Sequence, residues 1–189
     1  MKIGVLALQG AFATHAEVLR GLGAEAREVR VPAHLDGVDA LVLPGGESTT
    51  MSLLLDSSGL RDPVADRLAD GLPALGTCAG MILLASNVLD GRHDQRSFGV
   101  VDVDVRRNAF GRQVDSFESD LDVDGLAGGA FHAVFIRAPV VERAGTDVDV
   151  LATVDGKPVL VRHGPLVAAA FHPELSDDDR IHQLFLEGV

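Results

Sequence analysis

Two short segments of this chain carry residue types that could do covalent chemistry. The first is Gly76-Thr77-Cys78-Ala79-Gly80, which holds the chain's one cysteine. It follows the apolar stretch Ala74-Leu75 and precedes a helix-forming run, the layout of a nucleophile elbow with sulfur as the attacking atom. Glycines on both sides relieve the crowding of a sharp strand-to-helix turn. The N-terminus of the following helix favours thiolate over thiol. The second segment is Phe171-His172-Pro173-Glu174, at the end of the apolar run 167–171. In extended backbone, residues two apart share a side, so Glu174 can accept from one imidazole nitrogen and leave the other to face the sulfur. Pro173 fixes its own φ and biases His172 towards extended geometry. Cysteine, base and orienting acid would form a triad for attack on an acyl carbon. A structural reading of the same residues also stands. Cys78 can be a small buried hydrophobe, His172 a strand end, and Glu174 a helix cap.

A third segment, Leu43-Pro44-Gly45-Gly46-Glu47-Ser48-Thr49-Thr50, places paired glycines between a buried strand and a helix start. Free backbone N–H groups there, near Gly46, could receive an anion or a developing oxyanion, as could the N–H after Cys78, that of Ala79. No lysine follows, so it is not a P-loop. An ordinary turn with Ser48 as N-cap is the competing reading. The basic island Arg106–Arg112 and Arg137, at a strand end, each offer a guanidinium fork for a substrate carboxylate, or an ion pair with the many aspartates. No Cys/His cluster suggests zinc and no EF-hand spacing suggests calcium, so no metal is expected.

These residues need a scaffold. Strands are expected at 3–8, 26–31, 38–43 and 74–77. Helices are expected at 12–22, 48–55, 63–69 and 79–89. This alternation predicts βαβ units and a mostly parallel sheet covered on both faces. The second half reads differently, with strands at 100–105, 117–123, 133–137, 148–154, 158–162 and 167–171 and few helices, as in a mixed or antiparallel addition. A last helix is expected over about 177–186, with Ser176 as N-cap. The loops after the parallel strands then share the carboxyl edge of the sheet, where ligands bind in such folds.

Composition narrows the setting. The 189 residues suit one domain spanning 1–189. With 47% hydrophobic residues, no Trp or Tyr and eight Phe, the core must be aliphatic. A net charge of −12, with only Lys2 and Lys157 as lysines, argues against nucleic-acid or membrane-surface binding. A lone free thiol fits a reducing compartment, and the N-terminus lacks a signal-peptide pattern, so a cytoplasmic protein is expected.

The chain resembles the class I, triad-type glutamine amidotransferases, and within them the glutaminase branch that serves pyridoxal 5′-phosphate synthase. The matching stretches are Leu6–Gly10, Pro44–Met51, Gly76–Met81, Arg107–Phe117, Phe135–Pro139 and Phe171–Glu174. They keep their order over nearly the whole chain. The resemblance implies a three-layer, flavodoxin-like α/β sandwich, with Cys78 as nucleophile, His172 as base and Glu174 as its acid. It places glutamine against Gly46, Glu47, Ser48, Arg107, Ile136 and Arg137. Gln9 and Gly10 match a segment near the oxyanion region and the subunit contact. The implied partner is a (β/α)₈-barrel synthase that receives ammonia, and no cofactor is expected because pyridoxal phosphate is the pathway product. A glutaminase of another pathway, or a catalytically silent binding partner of the barrel, remains the alternative.

Overall fold

A computed structural model describes residues 1–107 and 116–189. Its main sheet has seven strands in the order β10-β11-β12-β4-β3-β1-β2. Five of these run parallel: β1 (Lys2–Leu6), β2 (Glu25–Val29), β3 (Ala40–Leu43), β4 (Ala74–Thr77) and β12 (Leu166–Ala169). β10 (Asp149–Val154) and β11 (Lys157–His163) extend the sheet antiparallel beyond β12. Every residue of β3, β4 and β12 is buried. Strands without an exposed side need cover on both faces, which explains their continuous apolar sequence.

The cover comes from α1 (Phe12–Gly21), α2 (Ser48–Ser57), α3 (Arg61–Ala69), α4 (Ala79–Leu84) and α5 (Arg180–Leu186), with two short 3₁₀ turns at Pro32–Leu35 and Pro173–Leu175. A smaller sheet, β5-β6-β9, joins β5 (Ala85–Val88), β6 (Val101–Arg106) and β9 (Val140–Ala144). A ribbon pairs β7 (Ser116–Leu121) with β8 (Phe131–Ile136). The architecture is therefore the expected α/β arrangement with mixed strands in the second half.

Several boundaries differ from expectation. The helix expected over 79–89 stops at Leu84, because Ala85–Val88 pairs in parallel with β6. A run of small and apolar residues fits either periodicity, and the partner strand decides it. β9 was not expected. The last helix starts at Arg180 and is preceded by Asp179; Ser176 instead ends the 3₁₀ turn and caps no helix.

Register sets the level of the chemistry. Thr77 pairs with Ala169 and Gly76 with Leu43. The chain therefore leaves β3, β4 and β12 at the same edge, and the loops holding Gly46, Cys78 and His172 emerge side by side.

Candidate active site

Cys78 stands between β4 and α4 with φ 49° and ψ −104°. A left-handed φ at a non-glycine residue costs on the order of 1–3 kcal/mol and persists where the surroundings over-determine it. Here the Cys78 N–H donates to the Ala169 carbonyl at 2.8 Å and its carbonyl accepts from Ile82 N–H at 3.3 Å. The flanking glycines have a steric reason. A Cβ on Gly76 would lie 2.7 Å from the Gly80 carbonyl carbon and oxygen, and one on Gly80 would run into the Leu43 carbonyl. The turn therefore packs backbone on backbone. Sγ lies 3.8 Å from the Ile136 carbonyl oxygen, within reach of a weak S–H···O bond.

His172 follows β12 and is buried. Its Nδ1 is 2.8 Å from Glu174 Oε1, and Cys78 is close enough to act on its ring electrostatically. The contact with Glu174 is not made by strand alternation. Pro173–Leu175 forms a 3₁₀ turn, and this turn carries the carboxylate back to the imidazole. Burial alone would lower the pKa of His172. The interactions with Cys78 and Glu174 outweigh it and raise the value to about 10. Burial likewise opposes ionisation of Glu174, and the hydrogen bond from His172 with the nearby His15 overcomes it, so its pKa is lowered. The His172 backbone N–H is anchored to the Val134 carbonyl at 2.9 Å, which ties β8 to the site.

The two-glycine loop closes the third side. A Cβ on Gly45 would overlap His172 Cε1, lie 2.9 Å from its Nδ1 and come within 3.4 Å of the Cys78 Cβ. Only a glycine lets the ring pass. Among the described residues, the Gly46 and Ala79 N–H groups have no hydrogen-bond partner within the protein. Gln9 Oε1 accepts from Glu47 N–H at 2.8 Å and so orders this loop from β1's end. Glu47, rather than Ser48, is the N-cap of α2, accepting from Thr49 and Thr50 N–H. Burial pushes the Glu47 carboxyl pKa upward, but bonds from Thr50 and Thr49 prevail and hold it at about 2.

These groups surround a cavity of about 250 Å³ lined by Gln9, Gly46, Glu47, Ser48, Cys78, Arg107, Ile136, Arg137 and His172, with Ile82 at its side. All residues expected to touch substrate thus share one cavity. Gly10 and Ala79 do not line it. Gly10 instead packs under the Gly45 carbonyl, and Ala79 opens α4. Arg107 donates to Thr49 Oγ1 at 2.9 Å and Gln95 Oε1 at 2.7 Å, while Gln95 Nε2 donates to Ser48 Oγ at 3.0 Å. Arg137 holds a left-handed φ of 45° at the end of β8. Both arginines that the sequence singled out, Arg107 and Arg137, reach the cavity. The rest of the expected basic segment, 108–112, lies outside the described residues.

Sequence reasoning missed three members of this neighbourhood. Gln95 sits in an irregular loop, where nothing marks it. His15 and His182 are fully buried behind Glu174. Each sits on the apolar stripe of its helix, beside Ala16 and Leu19 in α1 and beside Ile181 and Phe185 in α5, a placement that by itself marks no role.

A cysteine at a strained elbow on the carboxyl edge of a mostly parallel sheet is the setting of a covalent nucleophile. The chain belongs to the SNO glutamine amidotransferase family, whose signature matches residues 5–189. It is 60% identical over 187 residues to the pyridoxal 5′-phosphate synthase subunit PdxT of Mycobacteroides abscessus, covering 99% of this chain and 96% of the relative. The protein of the same description from Salinispora arenicola is 57% identical over 192 residues, with 99% and 96% covered. A crystal structure of a glutamine amidotransferase superposes with a TM-score of 0.92 at 53% identity, covering 98% of this chain and 97% of the other.

Proposed function

We propose that this chain hydrolyses L-glutamine to glutamate and ammonia, and delivers the ammonia to the synthase subunit of pyridoxal 5′-phosphate synthase. The observation that carries this reading is the juxtaposition at one cavity of Cys78, of His172 bonded to Glu174 at 2.8 Å, and of both arginines. Family membership and relatives described as synthase subunits over nearly their full length support the pathway.

The chemistry follows from the groups present. The sulfur, as a thiolate paired with the His172 imidazolium, attacks the side-chain carboxamide carbon of glutamine. The oxyanion that forms takes hydrogen bonds from Gly46 and Ala79 N–H, groups of a kind worth about 3–4 kcal/mol of barrier in other enzymes. The carbon–nitrogen bond breaks as His172 gives its proton to the departing nitrogen, which leaves as ammonia. Water then attacks the glutamyl thioester, His172 accepts its proton, and the thiolate departs, releasing glutamate. Glu174 keeps the imidazole in the Nδ1–H orientation throughout. Arg107 and Arg137 suit the α-carboxylate of glutamine, and Glu47, ionised at neutral pH, suits its α-amino group. The partner in this reading is a (β/α)₈-barrel synthase, and the setting is cytoplasmic.

The test is glutamate release from glutamine, measured with and without the synthase subunit. The native protein should be active in the complex and Cys78→Ala inactive yet still folded and able to bind the synthase. Glutamine hydrolysis by Cys78→Ala in that complex would overturn the assignment.

A further inference from the structure

We propose that His15 is a positioning residue for this hydrolysis, holding Glu174 in register with His172 through a buried imidazole pair completed by His182. The inference rests on the glutaminase reading above, and goes beyond it to residues outside the cavity.

The geometry behind the triad is a connected chain of polar atoms in an otherwise apolar core. Glu174 Oε1 is taken by His172. Its other oxygen, Oε2, is buried, makes no hydrogen bond of good geometry, and lies 3.3 Å from His15 Nε2. The same nitrogen is 3.1 Å from Thr77 Oγ1, the residue before Cys78. On the far side, His15 Nδ1 is 2.9 Å from His182 Nε2. His15 therefore touches both arms of the triad, the end of β4 and the turn after β12, from a helix that belongs to neither. Among the described residues no group of His, Cys, Asp and Glu side chains is placed to hold a metal ion, so this cluster reads as a hydrogen-bond relay.

Proton bookkeeping gives the relay a direction. A carboxylate can only accept, whereas a threonine hydroxyl can do either. A lone pair on His15 Nε2 would set acceptor against acceptor in a dry core, so the proton belongs on Nε2. Nδ1 must then accept from His182 Nε2–H, which leaves His182 Nδ1 bare. That is the one buried ring nitrogen of the pair without a partner, and a bare lone pair there is cheaper than an orphaned N–H. The opposite tautomer would strand a buried donor and repel Glu174. Burial lowers the pKa of His15, against the pull of Glu174, and burial with His15 lowers that of His182 to about 3, so each ring is neutral and carries one proton.

The consequence is positional. A carboxylate with one free oxygen can rotate, and the 3₁₀ turn alone does not fix its χ angles. His15 Nε2–H, 3.3 Å away, stands against the second oxygen as a polar contact and leaves Oε1 for His172. Loss of the outer partner that orients a metal-ligating histidine costs about 10–100-fold, and a loss of that order is expected for the partner that orients Glu174.

The test uses the complex with the synthase subunit. kcat and KM for glutamine are measured for the native protein, His15→Phe, His15→Gln, Glu174→Ala and the double variant His15→Phe/Glu174→Ala, alongside the histidine ring ¹⁵N spectrum. His15→Phe should lower kcat about tenfold or more with KM within about twofold, as expected for loss of orientation rather than of binding. His15→Gln, whose amide nitrogen can occupy the Nε2 position, should recover most of that loss. In the Glu174→Ala background His15→Phe should cost nothing further, because the residue acts through Glu174. The His172 Nδ1–H signal should broaden or vanish in His15→Phe. The proposal is overturned by unchanged kcat in His15→Phe, by an equal loss in the Glu174→Ala background, or by His15→Gln being as impaired as His15→Phe. A native complex inactive on glutamine would refute the glutaminase reading instead. An unchanged His172 signal in His15→Phe would then still overturn the positioning role.

Discussion

Replacing Gly45 by Ala should cripple turnover while leaving the fold intact. The φ of Gly45 is not left-handed, so the backbone itself accepts alanine, and the lost chain freedom of the unfolded state would even favour folding slightly. The difficulty is the added methyl, which would overlap His172 Cε1 and sit 2.9 Å from Nδ1, where ordinary contact begins at 3.4 Å. Something must therefore move by at least about 0.5 Å, and overlap with Cε1 asks for more. Cys78 blocks the neighbouring direction, its Cβ already 3.4 Å from the added carbon. If the ring moves, the 2.8 Å bond to Glu174 is disturbed. If the loop moves instead, the Gly46 N–H leaves its position. A misplacement near 1 Å costs on the order of a hundredfold in rate, or about 2.7 kcal/mol of barrier. Glutamate release by the complex, followed as kcat and KM, reads this directly. Circular dichroism and the denaturant midpoint report whether the variant is folded. A folded Gly45→Ala protein with native kcat, or with His172 unmoved in its structure, would refute the steric argument.

Other perturbations separate the remaining contributions. Cys78→Ala should lower the pKa of His172 from about 10, because the sulfur's interaction with the ring helps to raise it against burial; an imidazole NMR titration measures this, and no change would show that the pair is not coupled. Glu47 is held at about 2 against an ordinary 4.5, so its contribution to stability is complete above 4.5 and fades as pH falls towards 2. Glu47→Gln should flatten the urea midpoint over that window, and an unaltered profile would contradict its capping role. Gln95→Ala removes an acceptor of Arg107 and a donor to Ser48. It should raise KM for glutamine about tenfold with little change in kcat, the effect of losing one charge-assisted bond, and an unchanged KM would remove Gln95 from substrate binding.

The elbow was legible in sequence because its constraint is local. Gly76, Cys78 and Gly80 lie within five residues, and the strand and helix that flank them have opposite periodicities. The His172–Glu174 pair was legible for its spacing, but through the wrong geometry, since Pro173 opens a 3₁₀ turn that strand alternation cannot describe. The early end of α4 was not legible, because Ala85–Val88 becomes a strand only when β6 lies beside it. His15 and His182 share a similar opacity. Each looks like an isolated polar residue on an apolar helix face, and their purpose exists only once α1 and α5 meet behind a carboxylate from a third segment. Gln95 is harder still, as its role depends on a loop whose shape no periodicity encodes.

The pairing of β4 with β12 has a consequence for how the protein comes into being. β4 is a central strand, yet one of its two neighbours is made of residues 166–169, near the end of the chain. During synthesis β4 must wait, one edge unpaired and every side chain apolar or small, until most of the chain exists. Such an edge invites association with other chains, and closing so long a loop slows folding. The same delay is a safeguard. Cys78 cannot meet His172 or rest against Ala169 until that strand has docked, so a nascent or truncated chain holds a thiol without its base. Glutamine is therefore safe from this protein until its last quarter has folded.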